Sequence, residues 1–380
     1  MKIGALAMAR RLLVLCPYPE GTAAGQRLKF EQYYDNWREA GIEVTVAPFM
    51  DLALWRVLYE PGHRLAKAAG LLRGYLRRLR QLVLVRRHDA VLVHMWVTPL
   101  GGTLAERLLR KLTPHLIYDL EDNIILARPP QVNPVRRFLA PLVDRTRKVR
   151  WLIANADAVI VASPFMEEPC RALTKGRVHL IPPSLDTDRV RPATAPRGDG
   201  PVVIGWTGTF SSRIYLDLLS GAFRRLAERV PFRLRVIGNF DYDLPGVDLD
   251  VVRWTAEREA KDLQGLDIGV YPLVDDEWSR GKAGLKIIQY QAAGLPCVAS
   301  DVPLSREQLR DGETGFLVSS EDEWVDRLEQ LVRDADLRAR MGAAGRKDAV
   351  AGYSQAVIAG RYRAALADVI GQAGGERGAR

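Results

Sequence analysis

From residue 12 to residue 370, short apolar runs of strand length alternate with amphipathic stretches of helical length. No other property of the sequence narrows the fold as much. Parallel strands need a long crossover back to the starting edge, so this alternation specifies parallel sheets covered by helices. Strands are predicted over 12–16, 43–47, 90–94, 116–118, 158–161 and 178–181, with helices near 26–40, 64–87, 101–112, 134–153 and 164–173. A second series places strands over 202–205, 233–237, 249–252, 268–271, 297–300 and 315–318. Its helices fall near 212–229, 256–264, 284–293, 303–310, 321–333, 335–350 and 353–370. Between the two series, Pro182-Pro183 and the stretch 186–200 are rich in Pro, Gly and charge and carry no periodicity, as a connection between domains does. The expectation is two doubly wound α/β domains: an acceptor-side domain over 1–190, a linker over 191–200 and a second domain over 201–352. A helix over 353–372 returns to the first domain, and a mobile tail follows over 373–380.

With 47% hydrophobic and 27% charged residues, the chain is composed like a folded protein, which excludes disorder and collagen-like repeats. Cys16, Cys170 and Cys297 are far apart and odd in number, so neither a disulfide framework nor a zinc site is expected. No apolar run reaches the roughly 20 residues of a membrane-spanning helix. Arg10 and Arg11 split the N-terminal apolar stretch, which is read as a leader to the first strand. A cytoplasmic protein is expected, soluble or peripheral on the inner face of the cell membrane. The net charge is +9, with 31 Lys+Arg against 19 Asp+Glu in residues 1–200 and 24 against 27 in 201–380. The basic excess therefore belongs to the first half.

Ligands of open parallel sheets bind beyond the carboxyl ends of the strands, where loops feed helix N-termini. The strongest constellation there is Gly281-Lys282-Ala283-Gly284-Leu285-Lys286 and the helix through Gln289, ending in Gly294-Leu295-Pro296. Glycines admit a close ligand, a helix N-terminus attracts an anion, and Lys282 and Lys286 add positive charge. Gln289, one turn beyond Lys286, can hydrogen-bond a sugar hydroxyl. A second turn, Gly205-Trp206-Thr207-Gly208-Thr209-Phe210-Ser211-Ser212-Arg213, reads as a Ser-capped helix start with Arg213 in its first turn. It suits a phosphate, or serves simply as the first turn of a domain. In the first half, Pro17 to Arg27 forms a similar small-residue loop. The strand end Tyr118-Asp119-Leu120-Glu121-Asp122-Asn123 carries three acids able to position hydroxyls or accept a proton, or to open a helix. His94 ends another strand, where a packed role competes with ligand contact. No metal-ligand spacing is visible.

Nine Lys/Arg stand in residues 52–88 (Arg56, Arg64, Lys67, Arg73, Arg77, Arg78, Arg80, Arg86, Arg87) against the single acid Glu60. They interleave with Leu54, Trp55, Leu58, Leu71, Leu72, Tyr75, Leu79 and Leu82. A basic amphipathic helix with aromatics suits an anionic membrane surface, or is a solvated outer helix. Nucleic-acid binding would need a groove-reading or stacking element, and none is visible.

These segments, taken in order, resemble a GT-B glycosyltransferase of the GT4-like group. The resemblance rests on the loop ending at Gly25, "YDLEDN", "ADAVIVASPFMEE", "VHLIPPSLDTDRVRP", "IGWTGTFSS" and the run from "LDIGVYPLVDDEW" to "GETGFLV". It implies two Rossmann-like domains facing across a cleft. It also implies a retaining transfer of a hexose-type sugar from a nucleotide-diphosphate donor to a saccharide or lipid-linked acceptor, without metal or other cofactor. The donor diphosphate would sit at Gly284 and Leu285, balanced by Lys282, Lys286 and Arg213, with Gly208 and Gly25 lining the site. Gln289 would reach the ribose, and Arg253-Trp254-Thr255 would flank the base. Glu121 would stand beside the reacting sugar, with Asp122 next to it and Lys286 stabilising the leaving group. Relatives commonly carry glutamates at the positions of Gly281 and Gln289, which leaves Asp275, Asp276 or Glu277 as substitutes for the first. The rival readings are a sugar-nucleotide epimerase on this fold and a non-catalytic membrane- or polyanion-binding relative.

Overall fold

A computed structural model of the protein describes residues 10–100, 102–120, 146–194 and 200–371. The chain divides into two compact units, Met1–Pro183 with Ile358–Arg380, and Ser184–Val357.

The first unit contains β1 (Arg10–Cys16), β2 (Ile42–Pro48), β3 (Ala90–His94), β4 (Leu116–Leu120), β5 (Ala158–Val161) and β6 (Arg177–Leu180). They form one sheet in the order β2-β1-β3-β4-β5-β6, every pair parallel. Both faces are buried, which is why the strands read as continuous apolar runs. Leu13, Leu15, Val91 and Val93 enter one core, and Leu12, Val14, Cys16 and Leu92 enter the other. All three cysteines are buried and free. Burial pushes the Cys16 and Cys170 thiols up to about 12, which keeps both protonated and unreactive at neutral pH.

The expected strand 116–118 runs on to Leu120. Asp119 belongs to β4 although it is acidic, because Lys29 and His94 meet it in the interior. The expected helix 26–40 is broken into Ala24–Lys29, a 3-10 turn Glu31–Tyr33 and Tyr34–Glu39. The long basic helix is Arg64–Leu84, and a separate short helix, Leu52–Leu58, precedes it. Asp51 caps that short helix through Leu54 N at 2.8 Å.

The helix Gln355–Ile370 packs in the first unit. Ile358, Tyr362, Leu366 and Val369 join the core of Leu12, Val14 and Trp37, with Tyr362 ring-to-ring against Tyr33 (5.2 Å) and Trp37 (5.5 Å). The stretch after β6 is better ordered than a loose linker. Leu185 exchanges backbone hydrogen bonds with Tyr353 and Gln355, and the Arg346 guanidinium donates to the carbonyls of Thr187, Val190 and Ala292 at 2.6–2.7 Å.

The second unit contains β7 (Val202–Gly208), β8 (Phe232–Gly238), β9 (Leu249–Arg253), β10 (Ile268–Tyr271), β11 (Cys297–Ser300) and β12 (Gly315–Val318). Their order is β12-β11-β10-β7-β8-β9, again all parallel. The direction of winding reverses between β7 and β10, which makes that junction the topological switch point. β7 and β10 pair only at Ile204 and Gly205 against Ile268 and Gly269, whereas β7 follows β8 as far as Gly208. The carboxyl ends of β7 and β10 therefore separate. Tyr290 spans the gap: its hydroxyl accepts from Thr207 N (3.1 Å) and donates to Val270 O (3.4 Å). Its ring lies so close to the sheet that a Cβ on Gly269 would stand 2.3 Å from it, so no larger residue fits there.

Candidate active site

Two sequence constellations of the second unit flank this switch point, one after β7 and one after β10. After β10, the helix Leu285–Ala292 begins at Gly284, which has φ +65° and offers no side-chain cap, so the first amides of the helix lack the usual partner. Gly284 is required for two reasons. A side chain is strained at that φ, and a Cβ would lie 2.0 Å from Gln308 Oε1. Gln308 also donates to Ala283 O at 2.9 Å and so braces the loop. Gly281, by contrast, has an ordinary φ of −81°. The positive φ and the Gln308 brace thus add two structural reasons for Gly284 to the close ligand approach expected from the sequence.

The lysines are placed by aromatic rings. Lys286 Nζ lies 5.3 Å from the Trp206 ring of β7 and 5.4 Å from that of Tyr271, the last residue of β10. Lys282 Nζ lies 5.4 Å from the Tyr215 ring and 5.8 Å from that of Trp278. Cation–π contacts orient an ammonium group without cancelling its charge.

After β7, the expected Ser-capped helix differs in detail. Thr209 and Ser212 form a reciprocal capping box around a 3-10 turn, Phe210–Ser212, and Arg213 starts a separate four-residue helix. Arg213 stands over Tyr242 (5.4 Å) and pairs loosely with Asp217 at 3.6 Å. Gly208 is enforced by packing, since a Cβ would meet the Trp206 ring at 2.2 Å.

Trp254 follows β9, and its backbone N–H donates to Gly238 O at 3.0 Å. Gln289 is 5% exposed, and its amide is engaged with Glu259 at 3.1 Å, a residue that sequence reasoning did not single out. Of the three acids considered as substitutes, Asp275 is bound by both arms of Arg280 (2.7 and 3.0 Å) and Asp276 caps the helix Glu277–Arg280 through Ser279 N. The Arg280 hydrogen bonds hold the Asp275 carboxyl below its ordinary range. Glu277, the third, is exposed at the start of that helix.

In the first unit, Gly25 lies within the helix Ala24–Lys29 and not in the loop before it. That loop is clamped from behind: Gln26 exchanges hydrogen bonds with the backbone of Tyr18, and Glu31 accepts from Gly21 N (2.8 Å) and from Gln26 Nε2. Burial raises the Glu31 carboxyl above its ordinary range. Asp119 is not a ligand-facing acid. It is 0% exposed, with Lys29 Nζ 2.8 Å from Oδ1 and His94 Nδ1 2.7 Å from Oδ2. Burial pushes its carboxyl up, but these two partners outweigh that and hold it below the ordinary value. His94 is accordingly a packed residue. Glu121 and Asp122 lie outside the described residues. Among the described residues no group of three or more His, Cys, Asp or Glu side chains could hold a metal ion, and no helix is long and apolar enough to cross a membrane.

Two parallel sheets, each doubly wound, with cationic groups and a bare helix start at the switch point of the second, define the GT-B class of α/β proteins. Comparison with known proteins agrees. A model of the glycosyl transferase 4-like domain matches residues 24–184, and a model of the group 1 glycosyl transferases matches 201–334. The chain belongs to the GT4-like group 1 glycosyltransferases and is an enzyme of that kind. It is 24% identical to a D-inositol 3-phosphate glycosyltransferase of Pseudarthrobacter chlorophenolicus, over 89% of this chain and 91% of that one. It is 44% identical to a phosphatidyl-myo-inositol mannosyltransferase of Mycobacterium leprae over 78 residues, 20% of this chain and 21% of that one. Among solved structures it resembles the sucrose-phosphate synthase of Thermosynechococcus elongatus, with TM-score 0.68 and 17% identity over 94% of this chain and 100% of that one. It also resembles HepE of Anabaena in complex with UDP and glucose, with TM-score 0.62 and 14% identity over 95% and 100%.

Proposed function

We propose that the protein moves a hexose-type sugar from a nucleotide-diphosphate donor to a saccharide or lipid-linked acceptor, with retention of anomeric configuration. The observation that carries this reading is the pair of ammonium groups, Lys282 and Lys286, seated on aromatic faces at the uncapped start of Leu285–Ala292. A diphosphate there meets helix amides and two cations. Arg213 adds a third cation from the β7 side. The bond between the anomeric carbon and the diphosphate breaks, the acceptor oxygen bonds to that carbon on the same face, and the acceptor's proton passes to the departing diphosphate. The residues supply charge stabilisation and need no resident metal. Glu121 and Asp122 are proposed to hold sugar hydroxyls. The UDP and glucose in the HepE complex support a nucleotide-sugar donor.

The basic helix supports a lipid-side acceptor. Its outward face is apolar: Leu65, Leu72, Leu76, Leu79 and Val83 are 51–89% exposed and lie opposite the buried Gly70, Gly74 and Arg78. Arg64, Arg80, Arg86 and Arg87 are exposed on the same helix and the turn that follows it. Leucines on the outermost line of a helix, bordered by arginines, suit the headgroup region of an anionic bilayer, each cation adding about 1 kcal/mol there. The fit is narrower than the sequence implied, because Arg78 is buried on the carbonyls of Cys16 and Ala47, and Arg73 and Arg77 are paired with Asp51. The name of the mannosyltransferase relative joins sugar transfer to phosphatidyl-myo-inositol, in keeping with a lipid-linked acceptor.

A thermal-shift panel of UDP-, GDP- and dTDP-hexoses tests the donor, since a ligand at about 100 times its Kd adds ~2.7 kcal/mol of stability. Lys286→Ala is expected to abolish both the shift and sugar transfer. Full transfer by that variant would sink the proposal.

A further inference from the structure

Gln289 does not stand alone on its helix face. Its Nε2 donates to Glu259 Oε1 at 3.1 Å, and Trp254 Nε1 donates to the same oxygen at 3.3 Å. Glu259 is 8% exposed, so the three side chains make one half-closed cluster. They arrive from three segments: the residue after β9, the first turn of the helix Glu259–Gln264 and the second turn of Leu285–Ala292. The cluster is anchored at the carboxyl edge of the sheet, since Trp254 N bonds to Gly238 O and Gly238 pairs with Gly208 of β7.

Charge explains which residue stands where. A glutamate at position 289 would bring a second carboxylate to about the 3.1 Å that now separates Gln289 Nε2 from Glu259 Oε1. Two carboxylates sharing a site that closely cannot both ionise. The carboxamide turns the same approach into a hydrogen bond, and Glu259 remains the one acidic group of the cluster. Gln289 has its donor engaged with that acid and presents no pair of equivalent acceptor oxygens. A carboxylate does, and two adjacent hydroxyls can donate to its two oxygens together.

We infer that Glu259, in place of Gln289, is the residue that binds the vicinal ribose hydroxyls of the donor nucleoside. Gln289 and the Trp254 indole N–H hold its carboxylate in position, and the Trp254 ring stands next to the base. The inference rests on the nucleotide-sugar reading above and assigns to the helix Glu259–Gln264 a contact that the family resemblance implied for Gln289.

The test is calorimetric titration of the full chain with UDP and GDP, with their 2′,3′-dideoxy counterparts, and with inorganic pyrophosphate. The wild type is expected to prefer the ribose form of whichever nucleotide binds by about tenfold or more, the loss that follows when charge-assisted hydrogen bonds are removed. Glu259→Gln keeps an acceptor for Trp254 and should lower affinity for the ribose form to that of the dideoxy form, leaving pyrophosphate within about twofold. The exchange Glu259→Gln with Gln289→Glu returns one carboxylate to the cluster and should restore part of the preference. A Glu259→Gln protein that keeps the wild-type ribose preference overturns the inference while leaving the donor reading intact. A wild type that binds no nucleoside diphosphate overturns both.

Discussion

The ion pair between Lys29 and Asp119 offers the sharpest test of how the first unit is held together. Both side chains are fully buried, Nζ lies 2.8 Å from Oδ1, and the same ammonium donates to Leu120 O at 2.8 Å. Lys29→Met removes one charge at nearly constant volume and strands the other in the interior, which costs about 3–5 kcal/mol for a buried pair. For a unit of this size ~1 kcal/mol moves the Tm by about 2–4 °C, so a fall of roughly 6–20 °C is expected in calorimetry or circular dichroism. The pH dependence has a definite sign. In the wild type the Asp119 carboxyl is held low, so its contribution is present above its unfolded value and is lost only as pH falls through the lower folded value. Without Lys29 the burial that pushes this carboxyl up loses its main opponent. The variant should then recover stability as pH falls from 7 toward 4, and the gap to wild type should narrow. Lys29→Met with Asp119→Asn removes the stranded charge and should be more stable at pH 7 than Lys29→Met alone. A single variant within 1 kcal/mol of wild type, or a gap that widens in acid, would refute the reasoning.

Tyr290→Phe deletes the hydroxyl that spans the switch point and leaves the buried Thr207 N–H without its acceptor, for an expected loss of about 1–3 kcal/mol by urea denaturation. An unchanged midpoint would mean that the gap between β7 and β10 is held open by other contacts. On the first unit, Leu72→Glu with Leu79→Glu alters two residues that are 60–62% exposed, and should leave the Tm within about 2 °C while abolishing flotation with anionic liposomes at low salt. Binding that survives both substitutions would remove the outer leucine face from the membrane reading.

Most of the architecture was legible because parallel strands buried on both faces are written as uninterrupted apolar runs. Among the described residues, each of the twelve strands lies on a predicted run, but β7 continues three residues past its expected end and β4 two past its own. There the pattern failed for a physical reason: Asp119 looks like the start of a loop until a lysine from 90 residues earlier is known to meet it. A buried lysine gives no local signal, since Lys29 ends an ordinary helix start. The helices after β1 and β7 were over-extended because apolar spacing continues across 3-10 turns that hydrogen bonding interrupts. At the site, the glycines and lysines were visible, but the supports beneath them were not. Trp206 falls in the turn after the expected strand 202–205, Tyr271 at the end of 268–271, and Gln308 and Glu259 inside the expected helices 303–310 and 256–264. Each acquires its role from a contact across the sheet, which spacing along the chain does not encode.

The placement of Gln355–Ile370 has an outcome for biogenesis. The Leu12 and Val14 face of the first sheet is closed by Ile358, Tyr362 and Leu366. On the ribosome that face is covered only in part, by Phe30, Tyr33, Tyr34 and Trp37, until residues 355–370 emerge. The early strands are thus exposed to chaperones until then, and a frameshift near residue 354 would leave the first unit without the helix that completes its core.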